Sequence, residues 1–291
     1  MQFNTTKKDN AWKEYEACSF KDHIQLCSVA LKNENFTGSG VLCIDSKGVP
    51  GILTAKHNLA INSGLKESPV TWDSTRVEKM CHDFLTNLNI LYGPLNTISK
   101  APTEKECLKP ESSAIEFRSG EDSWDYDLMF ITMKDQSKLS EYILCNPKHA
   151  INFNPQNKKL KSFYQQKHRD AEVFVIGFGE QYGVDGKPKV NAGIFQVRTS
   201  KITSNSESVL RAEKDSENYY NTNVLLCSAS DQSSTAPGDS GGPVFQIFEN
   251  QLFLVGINLG ANFDAETLLP DEPIKNNANT YVALYQVPFL G

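Results

Sequence analysis

The sequence predicts an all-β protein, a barrel or a sandwich, with one inserted helix. Short runs rich in Val, Ile, Phe and Thr recur along the chain, and Gly, Pro, Asn or Asp separates most of them. Only one segment shows apolar residues at helical spacing. The 291 residues are enough for one large or two small domains with a real hydrophobic core.

The apolar runs have the length of ordinary strands. They lie at residues 23–31, 38–44, 51–55, 127–133, 172–179, 193–202, 223–230, 243–248 and 252–260. Two stretches containing Pro and Asn predict loops instead, at residues 92–113 and 145–166. The second of these loops is the best candidate for a linker between two β halves.

The predicted helix lies in residues 75–88, TRVEKMCHDFLTNL. His82 lies off its apolar stripe, so we expect a solvated side chain and not a ligand. The stripe consists of residues that recur at helical spacing, namely Val77, Met80, Cys81, Phe84, Leu85 and Leu88.

Charge and composition exclude several function classes. The chain is 39% hydrophobic and 22% charged, and its formal net charge is −6. It therefore lacks a dominant basic field, and neither nucleic acid nor an acidic membrane is an expected partner. The basic stretch at residues 158–169 is expected to be a solvated loop. No apolar run approaches the roughly 20 residues of a membrane span, and no metal or organic cofactor is expected.

The cysteines predict a reducing compartment. There are seven, an odd number, scattered without a CxxC pair, which argues against both a disulfide framework and a zinc site. The polar N-terminal stretch, residues 1–20, lacks the apolar core of a signal peptide. A cytoplasmic location is the simplest expectation.

The stretch STAPGDSGGPV, residues 234–244, concentrates turn-forming residues around Ser240. A serine hydroxyl becomes a useful nucleophile when a base takes its proton and when backbone N–H groups face the developing oxyanion. Glycines at 238, 241 and 242 would let the backbone turn sharply and approach a substrate carbonyl. The stretch is therefore compatible with a turn that presents a nucleophile.

The order of residues excludes one interpretation of this motif. In α/β-hydrolases the nucleophile precedes the acid and the histidine. Here all five histidines precede Ser240. One of them, His57, lies just past an apolar run in TAKHN, and Asp127 begins another run in DLMF.

These three blocks, TAKHN, DLMF and GDSGGP, occur in the order in which the trypsin/chymotrypsin family carries its signature segments, and the last is an uninterrupted match. The chain resembles that family over roughly residues 23–287. The resemblance implies two antiparallel six-stranded β-barrels packed face to face, with a cleft between them. It divides the chain into an N-terminal segment (1–22), a first barrel (23–145), a linker (146–164) and a second barrel (165–291).

The resemblance also implies a role for each matching residue. Ser240 would attack the peptide carbonyl, His57 would act as general base and then general acid, and Asp127 would orient the imidazole. Asp125, two residues away, is the alternative acid. The N–H groups of Gly238 and Ser240 would form the oxyanion hole. The main chain of Asn258, Leu259 and Gly260 would pair with the substrate backbone as an added strand.

Asp239 raises the question of activation. In the family, the Asp before the Ser pairs with an N-terminal amine made by cleavage, and no clear cleavage site of that kind precedes the first run here. A buried carboxylate without a partner is costly. We therefore expect the chain to be latent until cleavage within residues 1–22, or until a partner protein or ligand orders the loop.

Other departures concern cysteines and specificity. The family has Cys directly after its His and four residues before its Ser, where this chain has Asn58 and Ala236. Its extracellular disulfides are therefore missing. Ser234, at the position that floors the family's primary pocket, is neutral, which favours apolar residues over Arg or Lys at the cleavage site.

The sequence thus predicts a serine endopeptidase that acts on polypeptides through an acyl-enzyme. Two rival functions use the same fold. The first is a catalytically silent module that binds protein, and the second is a hydrolase of small esters or amides. An intact His57, Asp127 and Ser240 argues against the first, and a long cleft with exposed backbone at residues 258–260 would argue against the second.

Overall fold

The computed structural model describes most of the predicted strands together with the turn around Ser240. The described residues are 5–32, 37–58, 79–80, 82–84, 88–92, 107–108, 115–118, 128–133, 138–154, 158–159, 171–179, 181–182, 188–190, 195–203, 225–230, 238–262 and 277–283.

Three helices have defined bounds: α1 (Thr5–Ala17), α2 (Lys21–Cys27) and α3 (Lys138–Cys145). The strands of the first half are β1 (Ser28–Lys32), β2 (Thr37–Ile44), β3 (Pro50–Ala55), β4 (Asn89–Leu91), β5 (Cys107–Leu108), β6 (Ile115–Arg118), β7 (Leu128–Met133) and β8 (Ile151–Asn152). The strands of the second half are β9 (Ala171–Gly177), β10 (Gln181–Tyr182), β11 (Pro188–Val190), β12 (Gln196–Thr203), β13 (Leu225–Ser230), β14 (Pro243–Phe248), β15 (Gln251–Asn262) and β16 (Asn277–Ala283).

The predicted β class is confirmed, and each of the nine predicted runs contains a strand. One run was interpreted wrongly in part. Residues 23–27 of the run 23–31 belong to α2, and the strand begins at Ser28. The helix buries Ile24 and Cys27, three residues apart on one face, and its last turn accepts a hydrogen bond from the Ser28 hydroxyl to the Ile24 carbonyl. Over so short a stretch, helical and strand spacing are hard to tell apart.

The first half is one sheet. Its described strands follow the order β5-β4-β1-β2-β3-β7-β6, and β8 pairs with β2 in parallel. The turn between β2 and β3 is closed by Asp45, whose Oδ1 accepts the N–H groups of Lys47 and Val49 at 2.9 and 2.8 Å. This hairpin fixes β3, which ends two residues before His57. β8 lies inside the segment predicted to be a linker.

Six described strands of the second half hydrogen-bond in a closed ring in the order β12-β13-β16-β15-β14-β9. This arrangement leaves none of the six with an unpaired edge. The predicted pair of six-stranded barrels stays a prediction in its detail, because the described ladders of the first half join eight strands and do not close.

The N-terminal segment is helical and packed. Helix α1 lies against β12, and it buries Ala11 and Tyr15, four residues apart on one face. The Tyr15 ring meets the rings of Phe174 and Phe195 at centroid distances of 6.4 and 5.7 Å. Tyr15 is only 2% exposed, so α1 contributes to the core.

The predicted inserted helix is confirmed where it is described. Residues 79–80 and 82–84 are helical. Met80, Phe84 and Leu88 are buried, while His82 is exposed as expected. Val77, Cys81 and Leu85 lie outside the described residues. None of the described helices is long and apolar enough to cross a lipid bilayer.

Candidate active site

The turn that carries Ser240 directly precedes β14 in the chain. Gly238 and Gly241 have φ values of 93° and 87°, a region that residues with a side chain rarely adopt. The Gly242 N–H donates to the Asp239 carbonyl at 3.0 Å and closes the turn. The glycine-rich sequence is therefore used as predicted, to bend the chain tightly around Ser240.

This turn is bonded to the first sheet on both sides of Asp239. The Ser39 N–H donates to the Ser240 carbonyl at 2.9 Å, and the Ser39 hydroxyl donates to the Gly238 carbonyl at 2.7 Å. Asn58 Nδ2 also donates to the Ser240 carbonyl, at 3.2 Å. Ser39 lies on β2 and Asn58 directly follows His57, so the two halves of the chain meet at the predicted nucleophile.

His57 is half-buried in the turn after β3. The end of β3 packs closely on the Ser240 turn, since a Cβ built on Gly241 would lie 2.9 Å from the Ala55 nitrogen. Ala55 pairs with Leu128, the first residue of β7. Asp127, like Asp125, lies outside the described residues, but the described chain resumes at Leu128, next to the strand end that leads to His57.

The Ser240 hydroxyl is half-buried and donates to the Leu259 carbonyl at 3.2 Å. Leu259 sits at a bulge in β15. The ladder with β16 pairs Asn258 with Tyr281 and Gly260 with Thr280, and it skips Leu259. The bulge turns this carbonyl toward Ser240.

Asn258 is bonded to the Ser240 turn through its main chain and its side chain. Its N–H donates to the Gly242 carbonyl at 2.8 Å, and its carbonyl accepts the Gly241 N–H at 2.7 Å. Its fully buried side chain donates from Nδ2 to the Asp239 carbonyl at 2.9 Å. Asn258 thus holds the Ser240 turn against β15, and its predicted main-chain contact with a substrate strand stays a prediction.

Apart from that of Asp239, the backbone N–H groups of the turn at residues 238–242 fall into two sets. Those of Gly241 and Gly242 donate within the protein, as described above. Those of Gly238 and Ser240 have no acceptor among the described residues. They are therefore two N–H groups of this turn that could bind an external oxyanion.

Asp239 has an internal partner. Its Oδ2 lies 2.9 Å from Arg198 Nη2, and its Oδ1 accepts the Gly179 N–H at 2.8 Å. The contact between Arg198 and Asp239 is an ion pair. The Arg198 side chain is 10% exposed, and the Asp239 side chain is 3% exposed. Asp239 therefore has the partner that a buried carboxylate requires, and this partner lies within the chain.

Four residues around the turn were not identified from the sequence: Ser39, Thr54, Asn58 and Arg198. The Thr54 hydroxyl donates to the Ser39 carbonyl at 2.7 Å and accepts from Asn58 Nδ2 at 3.1 Å. Ser39 and Thr54 carry no distinguishing motif. Arg198 has one signal, since it is a cation in the middle of a predicted apolar strand, where a buried partner is required.

Other predicted site residues are only partly placed. Ser234 lies outside the described residues. Gly260 is in β15, paired with Thr280 of β16. Within the described part of the chain, no three His, Cys, Asp or Glu side chains cluster as metal ligands would.

These observations define a class of protein. The sheets are antiparallel except for the short β8 pairing, and a glycine-rich turn from the second half is docked on the strand end before His57. This combination fits a chymotrypsin-like β fold.

A family model described as Trypsin matches residues 82–279, well over half of the chain. The chain therefore belongs to the trypsin family. The matched range includes Ser240 and position 127, while His57 lies ahead of it. No curated protein matches the chain.

Replacing Ser39 tests how firmly the turn is docked. Ser39→Ala would leave the Gly238 carbonyl without its donor and the Phe178 N–H without its acceptor, the Ser39 hydroxyl at 3.0 Å. We expect a loss of about 3 kcal/mol of unfolding free energy, measured by urea denaturation. Ser28→Ala is the matched control, because Ser28 is equally buried and donates a single bond to the Ile24 carbonyl. It should cost about 1 kcal/mol. Equal losses in the two variants would contradict the docking.

Proposed function

We propose that the chain is a serine endopeptidase that cleaves polypeptides through an acyl-enzyme. One observation carries the proposal. The carbonyl of Ser240 is bonded to Ser39 and to Asn58, and Asn58 is the residue next to His57. A serine on a glycine-rich turn is thereby held beside the backbone that carries a histidine, as nucleophilic catalysis by serine requires.

In the proposed first step, His57 takes the proton of the Ser240 hydroxyl as Oγ forms a bond to the scissile carbonyl carbon. The carbonyl π electrons move onto oxygen. The tetrahedral intermediate then collapses, the C–N bond breaks, and His57 gives its proton to the departing amine. Water, deprotonated by His57, cleaves the resulting ester and regenerates Ser240. Asp127 is the proposed acid that orients His57, with Asp125 as the alternative.

The oxyanion would be stabilised by the N–H groups of Gly238 and Ser240. Support for this comes from their lack of acceptors among the described residues, whereas the next two N–H groups donate internally. Each such donor is typically worth about 10²- to 10³-fold in rate.

Substrate backbone would align along β15 at Leu259 and Gly260. The Leu259 carbonyl now accepts the Ser240 hydroxyl at 3.2 Å. A substrate N–H that takes this acceptor would free the hydroxyl to turn toward His57. Binding and activation of the nucleophile would thereby be linked. Ser234, as a neutral pocket floor, leads us to propose a preference for apolar residues at the cleavage site.

We further propose a reducing, cytoplasmic compartment for the protein. The support is that four of the seven cysteines, Cys18, Cys27, Cys43 and Cys145, are free thiols. An activating protein partner stays a prediction of the sequence.

The test is labelling by a fluorophosphonate probe, followed by mass spectrometry of peptide-library products. We expect the wild-type chain to be labelled at Ser240 and to cut peptides, and Ser240→Ala to do neither. A wild-type chain that is never labelled would support the binding module. Labelling without peptide cleavage, together with hydrolysis of small esters, would support the small-substrate hydrolase.

A further inference from the structure

Asp239 is held through both its carboxylate and its carbonyl. The carboxylate meets Arg198 and the Gly179 N–H, and the carbonyl accepts from Gly242 and from the Asn258 side chain. The residues on either side of it, Gly238 and Ser240, carry the N–H groups proposed for the oxyanion. The position of Asp239 therefore influences where the N–H groups of Gly238 and Ser240 point.

The cation that meets Asp239 comes from a rigid element. Arg198 lies in the ladder of β12 with β9, opposite Val175. Two residues earlier on the same strand, Gln196 donates from Nε2 to the Gly179 carbonyl. β12 thus holds Asp239 directly and also holds Gly179, whose N–H binds Asp239.

The pair is buried, which makes each member dependent on the other. Asp239 is 2% exposed and Arg198 is 9% exposed. Removing one member of a buried ion pair leaves a charge without compensation. The carboxylate would then move toward water, and the turn around Ser240 would move with it.

The N-terminal helix is packed on the same strand. Helix α1 contacts β12, and its Tyr15 meets Phe195, three residues before Arg198. The segment at residues 1–22 was expected to be cleaved for activation. Its helix α1 is instead part of the packing that supports Arg198, and Asp239 is already paired while this helix is in place.

We propose that Arg198 is a positioning residue which neutralises Asp239 and so keeps the turn at residues 238–242 ordered without cleavage of the chain. The inference rests on the proposed function, since it concerns how that site is kept ready. It replaces the expectation of latency until cleavage within residues 1–22.

The experiment compares Arg198→Met, Arg198→Lys and the double variant Arg198→Met with Asp239→Asn, all in the full chain. Lys159→Met is the control, because Lys159 forms an exposed ion pair with Glu249 at 3.0 Å. The first readout is amide hydrogen exchange at Gly179 and Gly242 relative to the amides of β1, and it needs no catalysis. The second is the rate of fluorophosphonate labelling, with intact mass confirming that Met1 is retained.

We expect Arg198→Met to speed exchange at Gly179 and Gly242 at least tenfold relative to β1 and to slow labelling by about 10²-fold. Arg198→Lys should recover most of both, since it restores the charge. The double variant should recover exchange protection, because the uncompensated charge is gone. Lys159→Met should change neither readout.

The outcomes separate the two proposals. Unchanged exchange and labelling in Arg198→Met, or labelling of the wild-type chain only after N-terminal cleavage, would overturn the role of Arg198 and leave the protease intact. A wild-type chain that is never labelled, together with faster exchange in Arg198→Met, would overturn the protease and support Arg198 as the residue that orders the turn. If Arg198→Met does not fold, Arg198→Lys is compared with the wild-type chain. Exchange and labelling close to wild type would support a role for the charge of residue 198, and large changes in both would contradict it.

Discussion

His57→Ala is expected to lower the rate of peptide cleavage by roughly 10⁴- to 10⁶-fold while the fold is retained. The imidazole is the only proposed group that can take the Ser240 proton and return it to the leaving amine. The effects of residues that act as a unit are not additive. The double variant with Ser240→Ala should therefore be little slower than either single variant. The measurement is the initial rate on a peptide that the library experiment shows to be cleaved.

His82→Ala is the matched control for this prediction. His82 is exposed on the inserted helix, and its removal should leave the rate within about twofold, because surface substitutions rarely shift free energies by more than about 0.5 kcal/mol. Asp127→Asn should cost about 10⁴-fold if Asp127 orients the imidazole. The same loss in Asp125→Asn, with Asp127→Asn near wild type, would exchange the two roles. A His57→Ala chain within tenfold of wild type would disprove the proposed mechanism.

The strands were largely predictable because each is a local apolar run bounded by turn residues. The run 51–55, for example, is β3 (Pro50–Ala55) almost residue for residue. Helix α1 was not predicted, because its sequence is polar and only Ala11 and Tyr15 among its described side chains are buried. Its packing against Phe174 and Phe195 depends on a contact with a distant part of the chain. Local propensity carries no information about such a contact.

The site shows the same division. The motif around Ser240 predicted a sharp turn, which Gly238 and Gly241 make at positive φ, because such a turn is a local property of the chain. The residues that contact this turn could not be predicted from local sequence. Ser39, Asn58 and Arg198 reach the turn only after two sheets have formed and packed. A buried arginine within a strand can indicate that a carboxylate lies nearby, but only the packing of β12 beside the Ser240 turn shows that the carboxylate is Asp239.

Gly241→Ala is expected to be the most damaging single-methyl substitution in the turn. Gly241 has a φ of 87°, which costs a residue with a side chain about 1–2 kcal/mol. Its Cβ would also fall on the Thr54 hydroxyl and the Ser39 carbonyl, and overpacking of this kind costs about 1–3 kcal/mol. We expect a loss of about 4 kcal/mol in the free energy of unfolding, measured by urea denaturation. Peptide cleavage should fall at least 10²-fold, because displacement of a catalytic group by about 1 Å has that effect.

Gly48→Ala separates the two causes. Gly48 has a φ of 80°, yet a Cβ there meets nothing within 4 Å, so this variant should lose only the backbone term of about 1–2 kcal/mol and keep full activity. Adding Thr54→Ala to Gly241→Ala should recover little, because the Ser39 carbonyl is main chain and cannot move aside without disturbing β2. Equal losses in Gly241→Ala and Gly48→Ala would mean that the turn does not press against β2 and β3. The packing of the turn on β2 and β3, which places Ser240 near His57, would then be wrong as well.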